Sequence, residues 1–223
     1  MSEFELNVYQ PWSVPLLHTT LPDTLLKDLI QLTDLIENDE NKEIVGDRLA
    51  GEIEEEYIID SSLLTNIKFR DYALELSKKY FSATAQNFQI VDDRFPTTLS
   101  TLKDALNNID IVSSWFNNQR DNEYNPLHDH TGTLSGVLYL KIPEYLPPRK
   151  NEHTDGSIVF FGNEMPAAGL ITNSTLAIAP KVGDIFLFAS SLKHQVYPFR
   201  TSDGKGIRRS MSFNLDKERL TNE

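Results

Sequence analysis

Hydrophobic and polar positions follow two regimes along the chain. In the first 84 residues or so, apolar positions recur at helical spacing. Leu25, Leu26, Leu29, Ile30 and Ile36 share one helical stripe, and Asp23 stands where a cap would, which predicts a helix over 22–37. Leu64, Ile67, Tyr72, Leu74, Leu76 and Tyr80 predict a second over 61–81, capped by Ser61 or Ser62. Residues 1–20, with Pro11 and Pro15, read as an irregular lead with one edge strand. Residues 37–60 are acidic and polar, interrupted by Gly46 and Gly51, and the run Glu54 to Glu56 reads as a solvated loop face.

From residue 88 the period changes. Short β-rich runs occur at 88–92, 110–119, 134–142, 157–162, 184–189, 194–199 and 207–214, punctuated by Gly, Pro, Asn and Asp. Such a series predicts a sandwich or barrel. Residues 145–153 form a Pro-rich connection and 163–180 a long loop. The expected class is α+β, in one compact domain: helical support over about 1–84 and a β core over about 85–216.

Charge and composition narrow the function. Twenty-one Lys and Arg stand against 33 Asp and Glu, a net charge of −12. That argues against nucleic acid and anionic membranes as partners, since both need clustered basic residues. The chain has no cysteine, which removes disulfides, iron–sulfur clusters, thiolate zinc sites and cysteine nucleophiles. No apolar run approaches the ~20 residues of a membrane span. The first ten residues lack the basic cluster of a targeting segment, so the expectation is a soluble, cytoplasmic protein.

The five histidines are unevenly placed, and two form His128-Asp129-His130. On a strand, residues i and i+2 face the same way, so two imidazoles could meet one metal. His194, at the entry to a later β-rich run, is the candidate third ligand. The same pair could equally be hydrogen-bonded residues on a polar loop end. His18 and His153 read as ordinary surface residues. In Arg208-Arg209-Ser210-Met211-Ser212-Phe213-Asn214 a strand would put Arg208, Ser210, Ser212 and Asn214 on one face. An Arg fork with a Ser hydroxyl two residues on suits a carboxylate. The alternative is that this polar face looks outward while Met211 and Phe213 fill the core. Tyr139, in the apolar strand after the histidine pair, could offer a hydroxyl to the same guest or be structural.

In order and spacing these pieces resemble the iron(II)- and 2-oxoglutarate-dependent oxygenases, in the prolyl-hydroxylase-like branch that includes small oxygenases of marine bacteria and phages. The match is carried by Tyr124-Asn125-Pro126-Leu127-His128-Asp129-His130, Leu134 to Pro143, Asp155 to Phe160, Pro180 to Phe188, His194-x-Val196-x-Pro198 and Arg208-x-Ser210. The resemblance implies a double-stranded β-helix (jelly-roll, cupin-like) core with supporting N-terminal helices. It implies Fe(2+), 2-oxoglutarate and O2 as cofactor and co-substrates, with ascorbate as a candidate reductant. The implied reaction hydroxylates a peptidyl residue or small metabolite and releases succinate and CO2. His128 and His194 match the family's two metal histidines. Arg208 matches the residue that pairs with the far carboxylate of 2-oxoglutarate, with Tyr139 and Ser210 assisting. Trp115, Asn117 and Asn214 would line the substrate pocket.

One position departs from the family: the usual carboxylate is His130 here. Three readings follow: a site of three histidines, which is favoured; a bulge that turns Asp129 inward; or a site that has changed its metal or lost activity. Two other classes fit some of the residues. A three-histidine zinc hydrolase or hydratase would explain the histidines but not Arg208-x-Ser210. A non-catalytic β-barrel module for a small acid or glycan would use the same pocket without turnover. Oligomeric state is not legible in the sequence.

Overall fold

The structure, a computed structural model, describes residues 15–46, 49–87, 108–147, 154–162 and 175–217. The expected strand at 88–92, His153 and most of the expected 163–180 loop lie outside the described residues.

The chain runs β1 (Leu16–Thr20), α1 (Asp23–Glu37), β2 (Glu56–Ile58), α2 (Ser61–Asn66) and α3 (Phe69–Asn87). Eight strands follow: β3 (Ile109–Gln119), β4 (Asn125–His128), β5 (Leu134–Lys141), β6 (Ile158–Phe161), β7 (Thr175–Ile178), β8 (Asp184–Ala189), β9 (His194–Val196) and β10 (Arg208–Lys217). They form two antiparallel sheets, ordered β1-β8-β5-β10-β3-β2 and β4-β9-β6-β7. From β3 to β10 the chain changes sheet at every step except β6 to β7, which pair within the smaller sheet, as a double-stranded β-helix requires, and β1 and β2 extend the edges of the larger one.

Period-2 alternation decides which residues meet the helices. On β10, Met211, Phe213 and Leu215 face out to the helical layer and join Leu29, Leu64, Phe69 and Leu76 in one core. Val137 and Tyr139 of β5 face in and join Phe160, Phe186 and Phe188 in a second core between the sheets. On β3 the register slips opposite Asn214/Leu215, so Ile111 faces the helices while Ser113 lies opposite Asn214. The bulge thus lets Ile111 and Phe116, an odd number of residues apart, both face the helical core.

Local details correct several sequence expectations. The N-cap of α1 is Pro22, with no side-chain cap; Asp23 sits in the first turn instead, where its charge favours the helix dipole. The expected single helix over 61–81 is two, α2 and α3. The chain breaks between them at Lys68, whose φ of 66° no α-helix accommodates. Asp60, not Ser61 or Ser62, caps α2, its carboxylate accepting from the Ser62 N–H at 2.7 Å. Part of the expected 163–180 loop is strand β7. The acidic stretch contains β2, and Glu56 is 1% exposed rather than solvated. Among the described residues no helix is long and apolar enough to cross a membrane.

Arg209, outward on β10 and 1% exposed, ties the sheet to α1. Its Nε donates to Asn118 Oδ1 at 2.7 Å, and its two terminal nitrogens reach Asp34 and Glu37 at 2.5 Å each. Burial pulls the Asp34 carboxyl up, but Lys141 and Arg209 outweigh it and hold it below its ordinary value. Neutralising both acids (Asp34→Asn with Glu37→Gln) strands a buried guanidinium, which should cost about 3 kcal/mol. Melting temperature should fall by roughly 6–12 °C, given the unfolding entropy of a chain this size. A lowered carboxylate pKa contributes stability that is present above the unfolded value of 3.8 and lost as pH falls through the folded one. The melting temperatures of wild type and the Asp34→Asn single variant should therefore converge on acidification.

Candidate metal centre and acid-binding pocket

β4 and β9 pair antiparallel with His128 directly opposite His194. Their ring centroids lie 4.2 Å apart, and that of His130 lies 4.9 and 5.1 Å from them. One ring nitrogen from each of the three falls within 4.8 Å of the other two. His128 and His130 do not share a strand face as their i, i+2 spacing predicts, because β4 ends at His128. His130 lies in the turn to β5, fixed there by its own N–H donating to the Ser190 carbonyl at 2.9 Å. Asp129 is exposed and stands outside the converging group.

Two of the rings are aimed by the backbone. His128 Nδ1 lies 2.7 Å from the Pro126 carbonyl, and His194 Nδ1 lies 2.9 Å from that of Leu192. A carbonyl only accepts, so each Nδ1 carries the proton and each Nε2 keeps its lone pair. Burial, and the neighbouring imidazole of His128, push His194 down to about 3 and His130 to about 4; burial also lowers His128. Three neutral imidazoles at one point are ligands ready for a divalent ion without a proton to lose. Phe188 and Phe160 pack on His194, with centroids 4.9 and 5.8 Å away.

Inward from the histidines a narrow pocket runs between the sheets to Tyr139, Arg208 and Ser210. Arg208 is 1% exposed. Its Nη1 donates to the Gly156 carbonyl at 2.6 Å and its Nη2 to Gln119 Oε1, while its Nε has no partner. Gly156 has a φ of 69°, and a Cβ there would stand 2.4 Å from the Tyr145 ring, so only glycine can bring this carbonyl to Arg208. Tyr139 is buried beside Arg208, pushed up to about 12 by that burial, and its hydroxyl also lacks a partner. The Ser210 hydroxyl donates to Asn117 Oδ1 at 2.6 Å.

A second cavity, of about 660 Å³, opens beside His128 and His130. Trp115 and Asn214 line it; the Trp115 ring is 5.9 Å from that of His130, and Asn214 accepts from Ser135 Oγ at 2.7 Å. Asn117 faces the inner pocket. Gln119, Gly156 and Glu56 were missed from sequence. Gln119 was within reach, since it shares a face with Trp115 and Asn117 on β3. Glu56 lies on a strand, and Gly156 in a turn, whose distant partners no local pattern shows.

The residues present fit a metal and a small acid. Three imidazoles suit a first-row divalent ion such as iron. The unpartnered Arg208 Nε and Tyr139 hydroxyl are buried donors, and buried donors of this kind want an acceptor such as a carboxylate.

Residues 113–214 match the family described as "Putative 2OG-Fe(II) oxygenase". No curated protein matches the chain. Among solved structures it is similar to a Pseudomonas putida prolyl-4-hydroxylase, with 16% identity, 91% of this chain and 92% of the other covered, and a TM-score of 0.51. It is also similar to HygX from Streptomyces hygroscopicus, crystallised with nickel, 2-oxoglutarate and hygromycin B (11% identity, 92% and 83% covered, TM-score 0.51). A third is the α-ketoglutarate-dependent epimerase SnoN of nogalamycin biosynthesis (12% identity, 91% and 78% covered, TM-score 0.51). Residues 113–214 thus match a 2OG-Fe(II) oxygenase family model, and they lie in a double-stranded β-helix like that of these solved structures.

Proposed function

We propose that the protein is an iron(II)- and 2-oxoglutarate-dependent dioxygenase that hydroxylates a peptidyl residue or small molecule. His128, His130 and His194 hold the metal, and Arg208, with Tyr139, takes the far carboxylate of 2-oxoglutarate. Ser210 orders Asn117 at the side of the same pocket. The helices of the first 84 residues support the core in one domain. The observation that carries this reading is a buried guanidinium and an unpartnered phenol in one pocket with three converging imidazoles. HygX holds nickel and 2-oxoglutarate in the same fold, which supports it.

When bound, iron and 2-oxoglutarate supply the oxidative chemistry, with succinate and CO2 as by-products. The protein's own part is positional. The backbone carbonyls of Pro126 and Leu192 fix the tautomers of two ligands. Phe160, Phe188 and Val196 keep the wall beside His194 apolar, which limits water there. Arg208 would set how far the acid enters the pocket it shares with the histidines.

The test is anaerobic. Iron(II) and then 2-oxoglutarate, added to metal-free protein, should give the visible charge-transfer band of the chelate. Air should then release succinate. A three-histidine zinc hydrolase would give zinc on native purification and no band, and would leave the Arg208 and Tyr139 donors without a purpose. Folded protein with bound iron and no band would overturn the proposal.

A further inference from the structure

We propose that Glu56 is the specificity residue of the substrate cavity, and that the substrate carries a cationic amine which pairs with it. The word substrate rests on the oxygenase reading; the pairing itself does not. Glu56 lies on β2, opposite Asn117 of β3. It is 1% exposed, and its Oε2 has no hydrogen-bond partner. Asn117 bonds the carboxyl. Because Asn117 Oδ1 already accepts from Ser210, its amide N–H must be the donor. A relay from Ser210 through Asn117 thus places Glu56 between the inner pocket and the larger cavity.

Val45, Leu49, Ile58, Ile59 and Trp115 give that cavity an apolar wall, and Ser113, Ser114, Asn125 and Asn214 are among its neutral polar groups. Its other charged described residues are Asp60 and Asp129, and none is a lysine or arginine. The field inside is negative, so a cation is favoured and a phosphate or carboxylate disfavoured. A buried carboxyl with an unused acceptor in such a place lacks a donor, and an ammonium group supplies three. Burial, with Glu123 adding to it, holds the Glu56 carboxyl up at about 7, the signature of an acid without its counter-ion.

The test needs no turnover. Hexylamine, hexanol and hexanoate are titrated into metal-free protein by calorimetry, with melting temperature followed in parallel. Hexylamine should bind and raise the melting temperature; hexanol and hexanoate should not. Glu56→Gln keeps the shape and loses the charge. It should weaken hexylamine about 10–100-fold, the worth of a charge-assisted hydrogen bond, while the unliganded protein melts no lower than wild type. Glu56→Asp should keep the preference for amine over alcohol. No hexylamine binding, equal binding of hexanol, or undiminished binding by Glu56→Gln would each overturn the proposal. Amine binding by protein that gives no charge-transfer band with iron(II) and 2-oxoglutarate would instead count against the oxygenase reading alone.

Discussion

Replacing His194 with alanine should leave the protein unable to hold iron and abolish succinate formation. His194 is the most enclosed of the three imidazoles, 4% exposed and backed by Phe160 and Phe188. Among the described residues the converging group consists of these three histidines, so no other stands by to replace it. Loss of a residue that merely orients a ligand costs about 10–100-fold in metal affinity. Loss of the ligand itself should exceed that, so metal content after equilibration with stoichiometric iron(II) should drop to background. His128→Ala should match it, since the two residues are cross-strand partners. His130→Asp should retain iron, because it returns a carboxylate to a position that points at the same spot. Melting curves without metal separate ligand loss from unfolding. Full iron content in His194→Ala would sink the assignment.

The site was legible where side-chain period alone decides direction. Arg208-x-Ser210 and Tyr139 face inward because alternation along β10 and β5 in sequence becomes alternation in space, even across the register shift between Arg209 and Ser210. Their apolar neighbours, Met211 and Phe213, fill the helical core as the other face must. Legibility failed where a distant partner sets the outcome. Glu56 sits in an acidic run that reads as solvated, yet pairing of β2 with β3 buries it; nothing within 37–60 announces that partner. Lys68 adopts a left-handed backbone inside a good helical pattern, so the break between α2 and α3 is invisible to periodicity. His130 joins the cluster through a turn rather than a strand. The turn and the Ser190 carbonyl, not the i, i+2 spacing of a strand, bring His130 beside His128.

Arg208→Met should raise the 2-oxoglutarate concentration needed for half-maximal rate by about 100-fold or more, as loss of one partner of a buried hydrogen-bonded charge pair does. The turnover number should change far less, because the far carboxylate is held alike before and during reaction. This variant also frees the Gly156 carbonyl and Gln119, so some loss of stability will accompany it. Tyr139→Phe isolates the binding effect. The Tyr139 hydroxyl is buried with no protein partner, and removing an unsatisfied polar group is neutral or stabilising. Melting temperature of the free protein should therefore hold or rise, while 2-oxoglutarate affinity falls about tenfold, the worth of one hydrogen bond to a charged group. Ser210→Ala should do the reverse: it strips Asn117 of the bond at 2.6 Å and should cost stability first. A Tyr139→Phe variant that melts lower and binds 2-oxoglutarate as before would show the phenol to be structural. An affinity loss without a stability loss is the mark of a group the fold holds open for a ligand.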